Sequence, residues 1–190
     1  MQREENRDNE IIHDFRNGDQ EGAFNMLVQT YQQRLYSHCR RMMGNHEDAD
    51  DALQNTFLKA WKGLKNFRRE SKLYSWLYRI ASNECLTLLE RQKKNRTFTI
   101  EETNEPVAPD STGPGSEEIQ EALTEAVSQL PHKQQMVFSM KYFDELKYEE
   151  ISSITGTSVG ALKSSFHIAV KKIEETLRQR SNLLSPSKSQ

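Results

Sequence analysis

The sequence predicts an all-α protein of two small helical domains joined by a flexible acidic linker. Apolar residues recur at spacings of three and four through most of the chain, with no strand-like alternation and no solenoid repeat. Between residues 97 and 115 that pattern stops, and Pro106, Pro109, Gly113, Pro114 and Gly115 replace it. From Leu146 to Lys172 the chain reads as a helix-turn-helix. With 190 residues, 35% of them hydrophobic, the chain can bury only one or two small cores. The expected division is therefore a helical domain at 1–96, a linker at 97–115, and a helix-turn-helix domain with a polar tail at 116–190.

The first amphipathic run extends from Glu21 to Met43, with Phe24, Leu27, Val28, Tyr31, Leu35 and Cys39 on its apolar side and Gly44 as a stop. Asn45 suits the N-cap of the next helix, whose acidic first turn, His46 to Asp51, fits the positive end of a helix dipole. Leu53, Phe57, Ala60, Trp61 and Leu64 continue it. After a polar loop at Asn66 to Glu70, Ser71 can cap a third helix holding Leu73, Trp76, Leu77, Ile80, Leu86 and Leu89. Beyond the linker, Ser116 opens a helix with Ile119, Leu123, Ala126 and Val127 inward, and Pro131 suits the first position of the next, which runs to about Tyr142.

In the helix-turn-helix, Glu149, Ile151 and Ile154 lie on a short first helix, Gly156 supplies the left-handed turn and Ser158 caps the second helix. Gly160 and Ala161 are small where the helices are expected to cross, and Leu162, Phe166, Ala169 and Ile173 form the buried stripe. Lys163, Ser164, His167 and Lys171 occupy the opposite face, which can lie in a DNA major groove. The same pattern also serves a plain helical hairpin with a solvated basic face.

The net charge of -2 conceals a sharp segregation. From Lys59 to Arg96 the only acids are Glu70, Glu84 and Glu90, whereas from Thr97 to Leu130 there is no lysine or arginine. A basic block therefore sits beside an acidic one. No apolar run approaches the ~20 residues that span a bilayer, and the polar start MQREENRDNE is unlike a secretory signal, so a cytoplasmic protein without membrane insertion is expected. Cys39 and Cys85 suit reduced core thiols. His38, Cys39, His46 and Cys85 lack the ligand spacing of a zinc site, and no metal or cofactor is expected.

The run DADDALQNTFLKAW, followed by SKLYSWLYRIASNECLTLLERQKK, closely resembles region 2 of the bacterial extracytoplasmic function (ECF) sigma factors of the sigma-70 family. LKYEEISSITGTSVGALKS resembles their region 4. The resemblance covers most of the chain, with both blocks in family order around a polar linker. It implies a region 2 bundle followed by a region 4 helix-turn-helix bundle. It also implies an alternative sigma factor that binds core RNA polymerase and directs promoter recognition, DNA melting and transcription initiation, without an active site of its own.

Carried over residue by residue, the family's docking surface for the clamp helices of the largest catalytic subunit maps to Asp48, Asp51, Gln54, Phe57 and Trp61. Read from the residues alone, the same run is an acidic first turn followed by core aromatics. Minus-ten recognition maps to Asn66, Phe67, Arg68, Arg69 and Ser71, with Glu70 in the same base-capturing loop. It continues through Lys72, Tyr74, Trp76, Arg79 and Asn83 on the following helix. Melted bases can stack on Tyr74, Trp76 or Tyr78 while cations hold the strand, though Trp76 and at least one of the tyrosines suit a core better than a stacking platform.

Minus-35 recognition maps to Ser158, Lys163, Ser164, Ser165 and His167, with Lys171 and Lys172 near phosphates. Ser165, Ile168 and Val170 stand where the family commonly has arginines, which removes possible bidentate contacts to guanine or phosphate. The resemblance further implies contact with the flap of the second polymerase subunit, promoter DNA as ligand, an anti-sigma factor as regulator, and a monomer when free. In the family the linker threads the polymerase's RNA path, so Glu101, Glu102, Glu105 and Asp110 can compete with nascent RNA or simply be solvated.

Two other classes compete. A stand-alone helix-turn-helix regulator predicts tight duplex binding without polymerase. A magnesium-dependent nuclease using Asp48, Asp50 and Asp51 requires converging oxygens, whereas acids at successive helical positions point apart.

Overall fold

Eight helices account for the secondary structure among the described residues of the computed structural model, 2–96 and 116–184. The linker 97–115, with the roles considered for its acids, lies outside the described residues.

Helix α1, Gln2–Asn17, is absent from the sequence expectations because its first half is almost wholly polar. Three residues tie it down: Ile11, Ile12 and Phe15 are buried. Arg16 donates a hydrogen bond to the Phe67 carbonyl, anchoring the far loop to this helix. Asp19 then caps α2, Gln20–Met43, by accepting from the Gly22 N–H at 2.9 Å. Gly44 ends α2 at φ 82°, its N–H bonded to the Arg40 carbonyl at 3.0 Å. That left-handed geometry is the reason for glycine.

Asn45 is the N-cap of α3, His46–Leu64, and its side-chain oxygen accepts from the Asp48 N–H at 2.8 Å. α3 packs on both α2 and α4, Leu73–Arg96. Ser71 lies two residues before α4; the first turn of α4 is closed by the Trp76 N–H bonding to the Lys72 carbonyl at 3.1 Å. Leu27, Leu35, Leu64, Leu73 and Leu77 are fully buried where the helices meet. Cys39 and Cys85 lie in this core as free thiols, and hydrogen bonding with Cys39 together with burial pushes the Cys85 thiol upward.

The second bundle comprises α5, Ser116–Ser128; α6, His132–Tyr142; α7, Tyr148–Thr155; and α8, Val159–Leu184. Pro131 stands one place earlier than expected, as the N-cap of α6. Gly156 turns the chain after α7 at φ 69°, and the Ser158 hydroxyl accepts from the Ala161 N–H at 3.3 Å. Leu162, Ala169 and Ile173 are buried and Phe166 half-buried, as the helical spacing predicts. Two expectations fail. Ile119 is 68% exposed, because the buried residues of this segment, Ala126 and Val127 of α5 and Leu130 just after it, lie at the other end. Gly160 and Ala161 face solvent, and a Cβ added at Gly160 meets nothing within 4 Å, so neither forms a helix crossing.

The sequence left the relative packing of the two bundles open. In the structure α6 packs on α2 and α7 on α4. One continuous apolar cluster joins Tyr74, Leu77 and Tyr78 of the first bundle to Met136, Met140, Ile151 and Ile154 of the second. The second bundle's separate cluster contains only Ala126, Val127, Leu130, Phe138, Ala169 and Ile173 among its buried residues.

Candidate functional site

On α3, the acidic first turn is organised by its cap. Asn45 both caps Asp48 through its side-chain oxygen and donates its amide to the Asp48 carboxylate, leaving that group half-buried at the helix N-terminus. Asp51 and Gln54, at the spacing of one turn, are exposed. Farther along, Gln54, Phe57 and Trp61 line an open groove of about 430 Å³ together with Phe24 of α2 and Leu58. Trp61 meets Phe15 and Phe24 edge-on at 5.3 and 4.9 Å, which fixes the indole while leaving it 37% exposed. Phe24 and Leu58 line the groove beyond the docking residues carried over from the family; Leu58, which stands in the same run DADDALQNTFLKAW, is 54% exposed. Its signal was its position, one turn after Gln54, on a helix whose core face was already complete.

The loop after α3 exposes Asn66, Arg68 and Arg69, with Arg69 at φ 60°. A non-glycine residue in that region is strained, and the loop is pinned on both sides. Phe67 is buried, 5.1 Å from the Trp76 ring. Trp76 in turn lies directly over Gly63, where a Cβ would come within 2.8 Å of the indole. Ser71 and Trp76 are half-buried, while Lys72, Arg79 and Asn83 are exposed at residue level. Tyr78 is 1% exposed and belongs to the core, so it offers no stacking face. Tyr74 lies at the seam between bundles, with Arg34 over its ring at 5.5 Å. Burial, with Glu150 of α7 nearby, pushes its hydroxyl upward in pKa.

The second helix of the helix-turn-helix presents Ser158, Lys163, Ser164, His167, Lys171 and Lys172 to solvent. Lys163 stands 5.8 Å from the Tyr148 ring centroid, and Lys172 donates to the Gln134 side chain at 3.0 Å. Ser165 is half-buried, and Ile168, 45% exposed, interrupts the polar face with an apolar patch. The structure thus carries an apolar groove on α3 beyond that helix's acidic start, and two surfaces rich in cations and hydrogen-bond donors. Such surfaces suit a protein interface and nucleic-acid contacts respectively. No helix among the described residues is long and apolar enough to cross a membrane.

Comparison with known proteins agrees with this layout. The Sigma-70 region 2 family model matches residues 27–95, and the Sigma-70 region 4 model matches residues 120–173. The chain is 29% identical over 178 residues to the ECF RNA polymerase sigma factor SigW of Bacillus subtilis, covering 88% of this chain and 95% of that protein. It is 30% identical over 182 residues to the ECF RNA polymerase sigma-E factor of Escherichia coli, covering 90% of this chain and 94% of that protein. In fold it resembles CnrH, solved in complex with the cytosolic domain of CnrY, at a TM-score of 0.69 and 21% identity over 91% of this chain and 98% of that one. The chain belongs to the ECF family of RNA polymerase sigma factors, the subunits that give the polymerase its promoter specificity.

Proposed function

We propose that residues 1–96 bind core RNA polymerase and the minus-ten element, that 116–190 bind the minus-35 element, and that 97–115 connect them. The observation that carries this reading is the groove of Phe24, Gln54, Phe57, Leu58 and Trp61 adjoining the acidic start of α3. It combines apolar anchors with carboxylates that can pair with a basic partner, the composition of a reversible protein interface. Its partner is the clamp-helix element of the largest polymerase subunit, and the helix-turn-helix bundle rests on the flap of the second.

On promoter DNA, Arg68, Arg69 and Lys72 hold phosphates of the melted strand. The loop Asn66 to Ser71 receives an unstacked base, and Asn83 reads the upstream edge. Trp76 acts mainly as the platform that positions this loop, since it packs between Gly63 and Phe67. On the minus-35 duplex, Lys163, Ser164 and His167 reach base edges, and Lys171 and Lys172 hold phosphates. The protein acts as a specificity subunit of the polymerase and contributes no active site of its own. It acts in the cytoplasm, as a monomer until it joins the polymerase, and an anti-sigma factor restrains it, as CnrY is found on CnrH.

The test is transcription in vitro from fragments of the source genome with purified core polymerase, with and without this protein, sequencing the RNA starts. New protein-dependent starts that share two upstream elements are expected. Failure to bind core and to create new starts, with tight duplex binding by the protein alone, would overturn the reading.

A further inference from the structure

Helix α1 lies outside residues 27–95, the stretch that the region 2 model matches, yet it grips the loop assigned above to an unstacked base. Its own position is fixed from both directions. Ile11, Ile12 and Phe15 are buried, and Phe15 meets the Trp61 ring edge-on at 5.3 Å. Just beyond, the Asp19 N–H bonds to the Asp14 carbonyl at 3.1 Å and Gly18 turns the chain at φ 116°. Arg16 stands between these two anchors.

The Arg16 guanidinium donates to the carbonyl of Phe67, 51 residues farther along the chain. Phe67 lies past the end of α3, so its carbonyl has no place in that helix's ladder. The two N–H groups at the loop entrance instead turn back onto α3, Asn66 to the Gly63 carbonyl at 3.0 Å and Phe67 to the Leu64 carbonyl at 3.2 Å. The Phe67 ring packs on Trp76 of α4. Arg16 therefore adds a hold from α1 to those that α3 and α4 provide.

Past Phe67 the backbone runs free of such ties. Among the described residues the next backbone hydrogen bond along the chain is at the Lys72 carbonyl. Arg68, Arg69 and Glu70 between them are exposed, and Arg69 keeps its disfavoured φ of 60°. A residue in that region returns to an ordinary conformation unless its flanks hold it. The Phe67 carbonyl is the flank nearest to it on the N-terminal side, and Arg16 is what fixes that carbonyl.

We propose that Arg16 is a positioning residue for minus-ten recognition: by holding the Phe67 carbonyl it sets where Arg68 to Ser71 stand when they receive the unstacked base. Helix α1 is thereby part of the promoter-reading site, although Arg16 itself touches no DNA. The inference rests on the assignment of this loop to the melted strand.

Arg16→Ala removes the hold at an exposed position and keeps a residue that favours helix. Arg16→Lys retains the charge and a donor but not the planar fork. Circular dichroism and thermal melting report whether each variant folds. Limited trypsin digestion of the full chain, with cut sites identified by mass spectrometry, reports the loop, because Arg68 and Arg69 are themselves trypsin sites. Base capture is read by holoenzyme binding to a promoter fragment taken from the mapped RNA starts, with unpaired bases over the minus-ten element and an abasic site walked along each strand in turn.

A hydrogen bond from a cation shifts an equilibrium by about tenfold, and cleavage follows the population of the open form. Cutting after Arg68 and Arg69 is therefore expected to be about tenfold faster in Arg16→Ala. The parent should lose affinity sharply at one abasic position. Arg16→Ala should bind the intact fragment about tenfold weaker, lose most of the penalty at that one position and keep the penalties elsewhere, and Arg16→Lys should recover part of both effects.

Unchanged cleavage would show that Arg16 does not hold the loop. Faster cleavage with the abasic penalty intact, or with all penalties reduced alike, would overturn the positioning role and leave the loop's assignment standing. A parent indifferent to every abasic site would remove that assignment and the inference with it. Should Arg16→Ala unfold, Arg16→Lys carries the same comparison with a smaller shift, and its absence counts against the hold.

Discussion

Leu58 offers the cleanest probe of the polymerase-binding groove, because it is 54% exposed in the free protein while its neighbours also serve the fold. Complete burial of a leucine side chain is worth about 1.5–3 kcal/mol. Roughly half of that remains to be gained when a partner covers the groove, so Leu58→Ala should forfeit about 1 kcal/mol of binding, or about fivefold in Kd for core polymerase. The folded state should lose less, since the removed atoms are already half in water. Trp61→Ala is a poorer probe, because Trp61 also packs on Phe15 and Phe24 and its loss weakens the bundle. Competition of the unlabelled variant against labelled parent for core polymerase gives Kd, and thermal melting gives stability. A variant that competes within twofold of the parent would refute the assignment of this groove to the polymerase.

Three further outcomes follow from the structure. Gly63→Ala places a Cβ 2.8 Å from the Trp76 ring, and overpacking of this kind costs about 1–3 kcal/mol; a lower urea midpoint with altered tryptophan fluorescence is expected, and an unchanged midpoint would mean the ring yields freely. Lys171→Ala in the holoenzyme should reduce the slope of log K against log salt on promoter duplex by about 1, and an unaltered slope would remove Lys171 from the phosphate contacts. Although burial opposes its ionisation, Glu150 is held below the ordinary carboxyl range by the Lys147 N–H and the Lys72 ammonium. A lowered folded-state pKa stabilises above the unfolded value, near 4.3, and that contribution disappears as pH falls through the folded value. The urea midpoint of the parent should therefore fall more steeply than that of Glu150→Gln below about pH 5, and parallel curves would count against the pairing.

Local chemistry made much of the fold legible. Gly44 and Gly156 mark left-handed helix ends, Asn45 and Ser158 accept the N–H groups that follow them, and the stripe Leu162, Phe166, Ala169, Ile173 lies inward because 3.6-residue periodicity puts it on one face. Helix α1 was not legible, since Ile11, Ile12 and Phe15 are too few to make a pattern until Trp61 and the Phe67 loop provide something to pack against. Ile119 followed the helical period and still faces solvent, because a periodic face is buried only along the length its partner helix covers. In the candidate site, the motif carried the identity of the residues, but not that Leu58 completes the groove or that Tyr78 belongs to the core.

The sequence by itself determined the helical class, the turn and cap residues, the segregation of charge and, through two motifs in order, membership of the sigma family. These depend on neighbours within a few positions along the chain, where spacing is a sufficient guide to geometry. Tertiary structure alone decided how the bundles meet: that Arg79 caps α7, that Gln135 fills the open carbonyl of Arg41, and that Asp144 lies between His38 and Arg41. These partners are far apart in sequence, and their donors and acceptors are ordinary solvated groups until an apolar seam excludes water around them.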